Sequence, residues 1–309
     1  MVRAVAICAL LTASAVFVMH RLQGFVWATA WRDLAALSAG QIGLALLAVV
    51  MAFVAVAGQE RAVLAHLALP VARGPGGRAA AAAAAAAVSQ TVGFGPVVGA
   101  IVRQRLVPGL TMGQSFATSG CITVGFFAGL CLLALAGFAV MPGQGWARVL
   151  LALAVLGLVG AALVGGSTVM GLRKPNLFVM ARFMGWLAVD LTALAAVLWV
   201  VLPGGAGLAF LDLLPAFLIA LGIGVASGSP GGVGPFEATL LALLPQVEAN
   251  DLVAGFIAFR VLGYLLPALC GGYGRCSGKG GPAWRRPPWS SIVKWRCPHC
   301  ADCRGPRCN

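Results

Sequence analysis

Charge is what this sequence has least of. Only 9% of its 309 residues are Asp, Glu, Lys or Arg, against 61% hydrophobic, and the mean hydropathy is +0.97. A soluble domain carries roughly 25% charged residues, so a soluble enzyme or binding module is excluded and the chain reads as an integral membrane protein. Alternating segments of about ten residues are also missing, which excludes an outer-membrane barrel. The apolar runs are helix-length instead. Histidine is scarce: His20 and His66 fall at the edges of apolar runs and His299 near the C-terminal end. The membrane part therefore offers no metal triad and no nucleophile–histidine pair. A small-residue cleavage site is absent too. The run Ala4–Met19 follows Arg3 like a short signal peptide, but it ends Phe17-Val18-Met19-His20, so it is expected to stay as a first helix.

What charge there is lies unevenly. Residues 1–269 hold 13 Lys+Arg against 7 Asp+Glu, whereas residues 270–309 hold 8 against one and carry six of the nine cysteines. Two unlike pieces are thus expected, a polytopic membrane domain over 1–269 and a basic tail over 270–309 rich in Cys, Trp and Pro. In the tail, Cys297, Cys300, Cys303 and Cys308 give C-x2-C-x2-C-x4-C, a spacing able to bind zinc. Separated ligand pairs flanking a small fold are lacking, however, and the composition is that of a GC-rich gene read out of frame. A disordered or out-of-frame tail is the expectation, with a metal site the weaker alternative. Cys8, Cys121 and Cys131 stand alone in apolar helices and read as packing residues.

Within the membrane domain the stretch Ser227-Gly228-Ser229-Pro230-Gly231-Gly232-Val233-Gly234-Pro235-Phe236-Glu237 is the most informative. A helix cannot pass two prolines and four glycines without releasing backbone N–H and C=O groups. In hydrocarbon these cost several kcal/mol each unless protein or a polar cavity takes them up. The carboxylate just past the break is a functional candidate for the same reason. An echo occurs at Val92-Gly93-Phe94-Gly95-Pro96. Two interrupted segments in the two halves of a chain point to a transporter built from inverted repeats.

Apolar segments fall near 4–19, 42–58, 79–102, 113–140, 149–171, 181–202, 210–226, 236–244 and 252–269, and Trp27–Leu37 reads as an interfacial or loop helix. Charge bias sets the topology. If 79–102 spans the membrane, Arg103, Arg105, Arg173 and Lys174 lie opposite Arg61, Arg73 and Arg78, against the positive-inside tendency. If it is re-entrant, all seven become cytoplasmic with Arg3, leaving Arg21, Arg32 and Arg148 outside. The expectation is an all-α protein with about six transmembrane helices and two re-entrant hairpins, 79–102 from inside and about 213–245 from outside. The tail is then cytoplasmic.

Three motifs in order carry a resemblance. Ser89-Gln90-Thr91-Val92-Gly93-Phe94-Gly95, with Gly99 and Arg103-Gln104-Arg105, resembles the S-N-T-hydrophobic-G-F-G…G…R-y-R signature of bacterial lysylphosphatidylglycerol synthetase/flippases of the multiple-peptide-resistance-factor type. Ser227 with Pro230 through Glu237 resembles that family's S-x-x-P-G-G-x-G-x-F-E, and Phe259-Arg260 with Tyr264 and Pro267 resembles its F-R-x-x-Y-x-x-P. Asp190 ahead of Leu202-Pro203 is similar to its D-W…L-L-P span, although Trp186 precedes the acid here. Glu60 and Gly228-Ser229 depart from the usual pattern. The likeness covers about 40–269.

The resemblance implies translocation of an aminoacylated phosphatidylglycerol, such as lysyl-phosphatidylglycerol, across the bacterial inner membrane, and hence resistance to cationic antimicrobial peptides. In full-length relatives a separate domain transfers the amino acid from tRNA to the lipid. Nothing in this chain resembles that domain, so no lysyltransferase activity is expected of the chain alone, and a separate synthase is an expected partner. No cofactor and no bound nucleic acid are expected, and an oligomer is compatible with the sequence. The alternatives are the membrane part of a phosphatidylglycerol lysyltransferase deprived of its catalytic domain, a membrane enzyme acting on lipid headgroups through Glu237 or Asp190, and a non-transporting scaffold.

The candidate substrate-binding residues are Glu237, Arg260, Asp190, Arg103, Arg105 and Glu60. The candidate re-entrant loop residues are Gly93, Gly95, Pro96, Pro230, Gly231, Gly232, Gly234 and Pro235. Glu237 falls in the first turn of a half-helix, where the dipole's positive end suits a lipid phosphate and the carboxylate a cationic headgroup; satisfying free N–H groups is the plain alternative. Arg260 is eight residues into its span and should pair with Glu237, Asp190 or a phosphate. Asp190 should face the bundle interior. Glu60 with Arg61 could equally be a solvated interfacial pair. Arg103 and Arg105 are placed to capture anionic headgroups or merely to fix topology.

Overall fold

The computed structural model describes residues 12, 27–69, 75–92, 95–107, 109–140, 177–203 and 207–267. The expected segments 4–19 and 149–171, Gly93, the tail with Cys297, Cys300, Cys303 and Cys308, and the topology markers Arg3, Arg21, Arg73, Arg148, Arg173 and Lys174 lie outside them. Among the described residues there are helices and turns and no strand. In chain order the helices are α1 (Trp27–Ala35), α2 (Ala39–His66), α3 (Pro75–Val92), α4 (Gly95–Leu106), α5 (Met112–Val140), α6 (Leu177–Val201), α7 (Phe210–Ala226), α8 (Pro235–Leu243) and α9 (Ala249–Arg260).

Three of them, α2, α5 through Ala136 and α6, are long and apolar enough to cross a membrane. At 1.5 Å per residue a 25-residue helix reaches about 37 Å, beyond the roughly 30 Å of hydrocarbon. Two of these long helices start with reciprocal capping. At α2 the Gln41 N–H donates to Ser38 Oγ and the Ser38 N–H to Gln41 Oε1; Thr111 and Gln114 repeat the exchange at α5. Each box satisfies two amide donors that a helix start leaves unpaired. Along α2 the side chains of Leu44, Leu47, Val50, Met51 and Val54 are exposed, an apolar strip that suits lipid and not water.

The bundle is organised on α6. It lies antiparallel against α2, as three contacts establish: Gln41 Nε2 donates to the Val200 carbonyl, Trp186 lies on Gly58, and Gln59 Nε2 donates to Asp190. A Cβ at Gly58, Gly125 or Gly129 would collide with Trp186, Phe183 or Leu187 of α6 respectively. These glycines therefore let bulky side chains seat against the neighbouring backbone, which supplies the dispersion contacts that hold helices together in lipid.

Both Gly/Pro breaks separate helices that pack on each other, α3 with α4 and α7 with α8. The second break folds into a single 3-10 turn, Pro230–Gly232, that rests on α3, so the two pairs meet. Gly232 comes so close to α7 that a Cβ there would sit 3.3 Å from the Gly224 backbone, and its φ of +71° belongs to the left-handed region. Phe217, Phe236, Phe256, Phe259 and Tyr264 form an aromatic cluster between α7, α8 and α9.

Candidate functional site

Glu237 and Arg260 meet at the second break. Pro235 occupies the first turn of α8, where its missing N–H costs nothing. Glu237 then reaches back, its Oε2 accepting the Gly234 N–H at 2.7 Å. Its other oxygen, Oε1, accepts from Arg260 Nη2 at 2.7 Å and from Nε at 3.2 Å. The third guanidinium nitrogen, Nη1, donates to the Gly231 carbonyl. One arginine thus ties the carboxylate and the freed loop backbone together.

Two aromatic rings complete the seat. The Arg260 guanidinium carbon is 5.2 Å from the Phe236 ring centre and 5.0 Å from that of Tyr264, inside the range of cation–π attraction. Tyr264 reaches this position from a π turn, Val261–Leu265, that continues α9 directly after Arg260. Such turns are rare and concentrate at functional sites. The pair is not sealed: Arg260 keeps 20% and Glu237 15% of its side-chain surface open.

A second ion pair is buried. Arg103 Nε donates to Glu60 Oε2 at 2.9 Å, and Arg103 Nη1 donates to Ser119 Oγ at 2.7 Å. Gly99 makes room for it, since a Cβ there would press at 2.9 Å on both Arg103 Nη1 and Ser89 Oγ. Glu60 therefore joins α2 to α4 and α5 and is not the partner of its neighbour Arg61. Arg103 and Arg105 part company: Arg103 turns inward into this pair, while Arg105 is exposed. Asp190 is buried as expected, but its contact is Gln59 at 2.9 Å and not Arg260.

Of the proposed loop residues, Pro96 is exposed in the first turn of α4, which Gly95 opens. Pro230, Gly231, Gly232 and Gly234 form the turn between α7 and α8, with positive φ at all three glycines. Sequence reasoning missed Gln59, Ser119 and Arg182. The first two are neutral and gave no charge signal. Arg182 stood at the edge of an expected span, where a cation reads as an anchor. It lines a cleft of about 460 Å³ between α2, α3 and α6, together with Arg61, Glu60 and Trp186.

No family model matches the chain. An uncharacterized protein of Synechocystis sp. is 35% identical to it over 85 residues, a stretch that makes up 27% of this chain and 26% of that protein. The chain thus aligns with about a quarter of that relative's length.

Proposed function

We propose that the chain is the membrane region of a lipid flippase of the lysylphosphatidylglycerol synthetase/flippase family. Its cargo is an aminoacylated phosphatidylglycerol such as the lysyl form, carried across the bacterial inner membrane. The observation that carries this reading is the partly open Glu237–Arg260 pair at a helix break. The aminoacylated headgroup offers both signs of charge in the opposite sense: an ammonium suits Glu237 and the phosphate suits Arg260. Exchanging one internal pair for two pairs with the lipid leaves neither Glu237 nor Arg260 stranded in hydrocarbon, which would otherwise cost several kcal/mol per ion.

The topology belongs to the same proposal. The helices α2, α5 and α6, with segments 4–19, 149–171 and 252–269, supply six spans and leave the C-terminal tail in the cytoplasm. The pairs α3–α4 and α7–α8 enter as re-entrant hairpins. In support, α8 has nine residues, about 13 Å, and does not reach across a bilayer. The amino acid is added by a separate synthase, and the resulting outer-leaflet lipid protects against cationic peptides.

The test uses a bacterium that has a synthase but no flippase of its own. With this chain present, a membrane-impermeant amine reagent should label a larger share of the lysyl lipid from outside. Glu237→Gln and Arg260→Ala should each return labelling to background while the protein remains in the membrane at normal level. Unchanged labelling in both variants sinks the assignment of these two residues. No gain with the unaltered chain sinks the flippase reading itself.

A further inference from the structure

We infer that the cleft between α2, α3 and α6 is a second, separate lipid site that takes the phosphate of an anionic glycerophospholipid from the cytoplasmic leaflet. The antiparallel register places two cations side by side. With Gln41 at Val200 and Gly58 at Trp186, Arg61 comes level with residues 180–183 of α6, and Arg182 lies in that turn. Both line the cleft, both are exposed, and neither has a hydrogen-bond or ion-pair partner among the described residues. Glu60, the acid in the lining, is already neutralised by Arg103 at 2.9 Å. The cleft therefore presents two unspent positive charges.

Its other walls are apolar, with Val54, Leu64, Leu69 and the Trp186 ring beside small residues that include Ala79 and Ala82 of α3, so only the arginine end is polar. Such a surface matches a molecule with an anionic head and an apolar body. A soluble anion would leave the apolar wall unused. The cleft lies at the C-terminal end of α2 and the N-terminal end of α6, where an indole is at home in the headgroup layer. Arg61 belongs to the cytoplasmic set in the charge-bias topology, and anionic lipids enrich that surface and attract basic side chains. Guanidinium groups grip phosphate through paired N–H donors. Because this site does not contain Glu237 or Arg260, its test is separate from that of the translocation proposal; only the choice of leaflet rests on the proposed topology.

The experiment places the full chain in phosphatidylcholine nanodiscs and adds phosphatidylglycerol brominated on its acyl chains. Bromine quenches nearby indoles, and the difference between the unaltered chain and Trp186→Phe isolates Trp186 from the other tryptophans. Trp186 should be quenched more strongly by brominated phosphatidylglycerol than by brominated phosphatidylcholine at equal mole fraction. At about a fivefold contribution per basic side chain, Arg61→Gln/Arg182→Gln should lower that preference about 25-fold. Arg61→Lys/Arg182→Lys should retain most of it. If the double glutamine variant fails to fold, each single variant should still lose about fivefold. Equal quenching by the two lipids, an undiminished preference in the glutamine variants, or displacement by excess inorganic phosphate each overturns the proposal.

Discussion

At the scale of single residues, the two ion pairs should answer differently to the same chemistry. Glu60→Gln leaves Arg103 buried with Ser119 and an amide in place of a carboxylate. Removing one partner of a sealed pair costs about 3–5 kcal/mol, so the variant should melt well below the unaltered chain in detergent. Arg103→Gln made on that background should restore part of the loss. Glu237 keeps 15% of its side-chain surface open, so Glu237→Gln should fold near normally. The double change Glu237→Gln/Arg260→Gln then asks whether the open pair serves only charge neutrality. If that variant regains wild-type outer-leaflet lipid, neither residue holds cargo.

These pairs also mark how far the sequence was legible. Glu237 stood out just past the Gly/Pro break and Arg260 deep in an apolar span, so their meeting was one of the pairings readable from the sequence, beside Asp190 or a phosphate. Glu60 was obscured by Arg61 next to it, a local partner more obvious than Arg103 on the separate helix α4. The register between α2 and α6 decides which residue faces inward, and both helices are apolar nearly all round, so no stripe announces the facing side. For the same reason the pairing of Gln59 with Asp190 and the alignment of Arg61 with Arg182 stayed hidden.

At the scale of the element, the α7–α8 turn is held by backbone geometry. Gly232→Ala would need a side chain at φ +71° with its Cβ 3.3 Å from the Gly224 backbone. A strained non-glycine residue of this kind costs about 1–3 kcal/mol. Thermal melting should show that loss, and the proposed translocation should fall with it because the Gly231 carbonyl and the Gly234 N–H both bind the Glu237–Arg260 pair.

A second element-scale expectation concerns α1, which packs on α9. At the start of α9, burial pushes the Asp251 carboxyl above its ordinary range, and Glu248 and Asp33 push it the same way. For an acid shifted upward the folded state prefers the proton, so the carboxylate weakens the fold above its unfolded pKa and is relieved as pH falls through the raised value. Asp251→Asn should therefore raise the melting temperature at neutral pH. The gain should shrink on acidification; a gain independent of pH would show that charge is not its source.

At the scale of the whole molecule, the joints of the bundle are of two mechanical kinds. Where α2 and α5 meet α6, and where α9 meets the chain just beyond α6, a large side chain drops into a glycine socket: Trp186 at Gly58, Phe183 at Gly125, Leu187 at Gly129, Leu202 at Gly255. Such a joint has detents, and sliding it by one residue drives a ring or a branched chain into backbone. The helix α3 is different. Its inward face over Ala79–Ala87 is methyl groups, with Ala81, Ala82, Ala85 and Ala87 buried, and a row of methyls offers nothing to catch on. The consequence is a division into stator and slider: α6 with its socketed neighbours keeps its register, and in the proposed transport cycle the alanine arm is the part that shifts past them. A reducible cross-link from α2 to α6 should leave lipid movement intact, whereas one from α2 to α3 should stop it until the link is reduced.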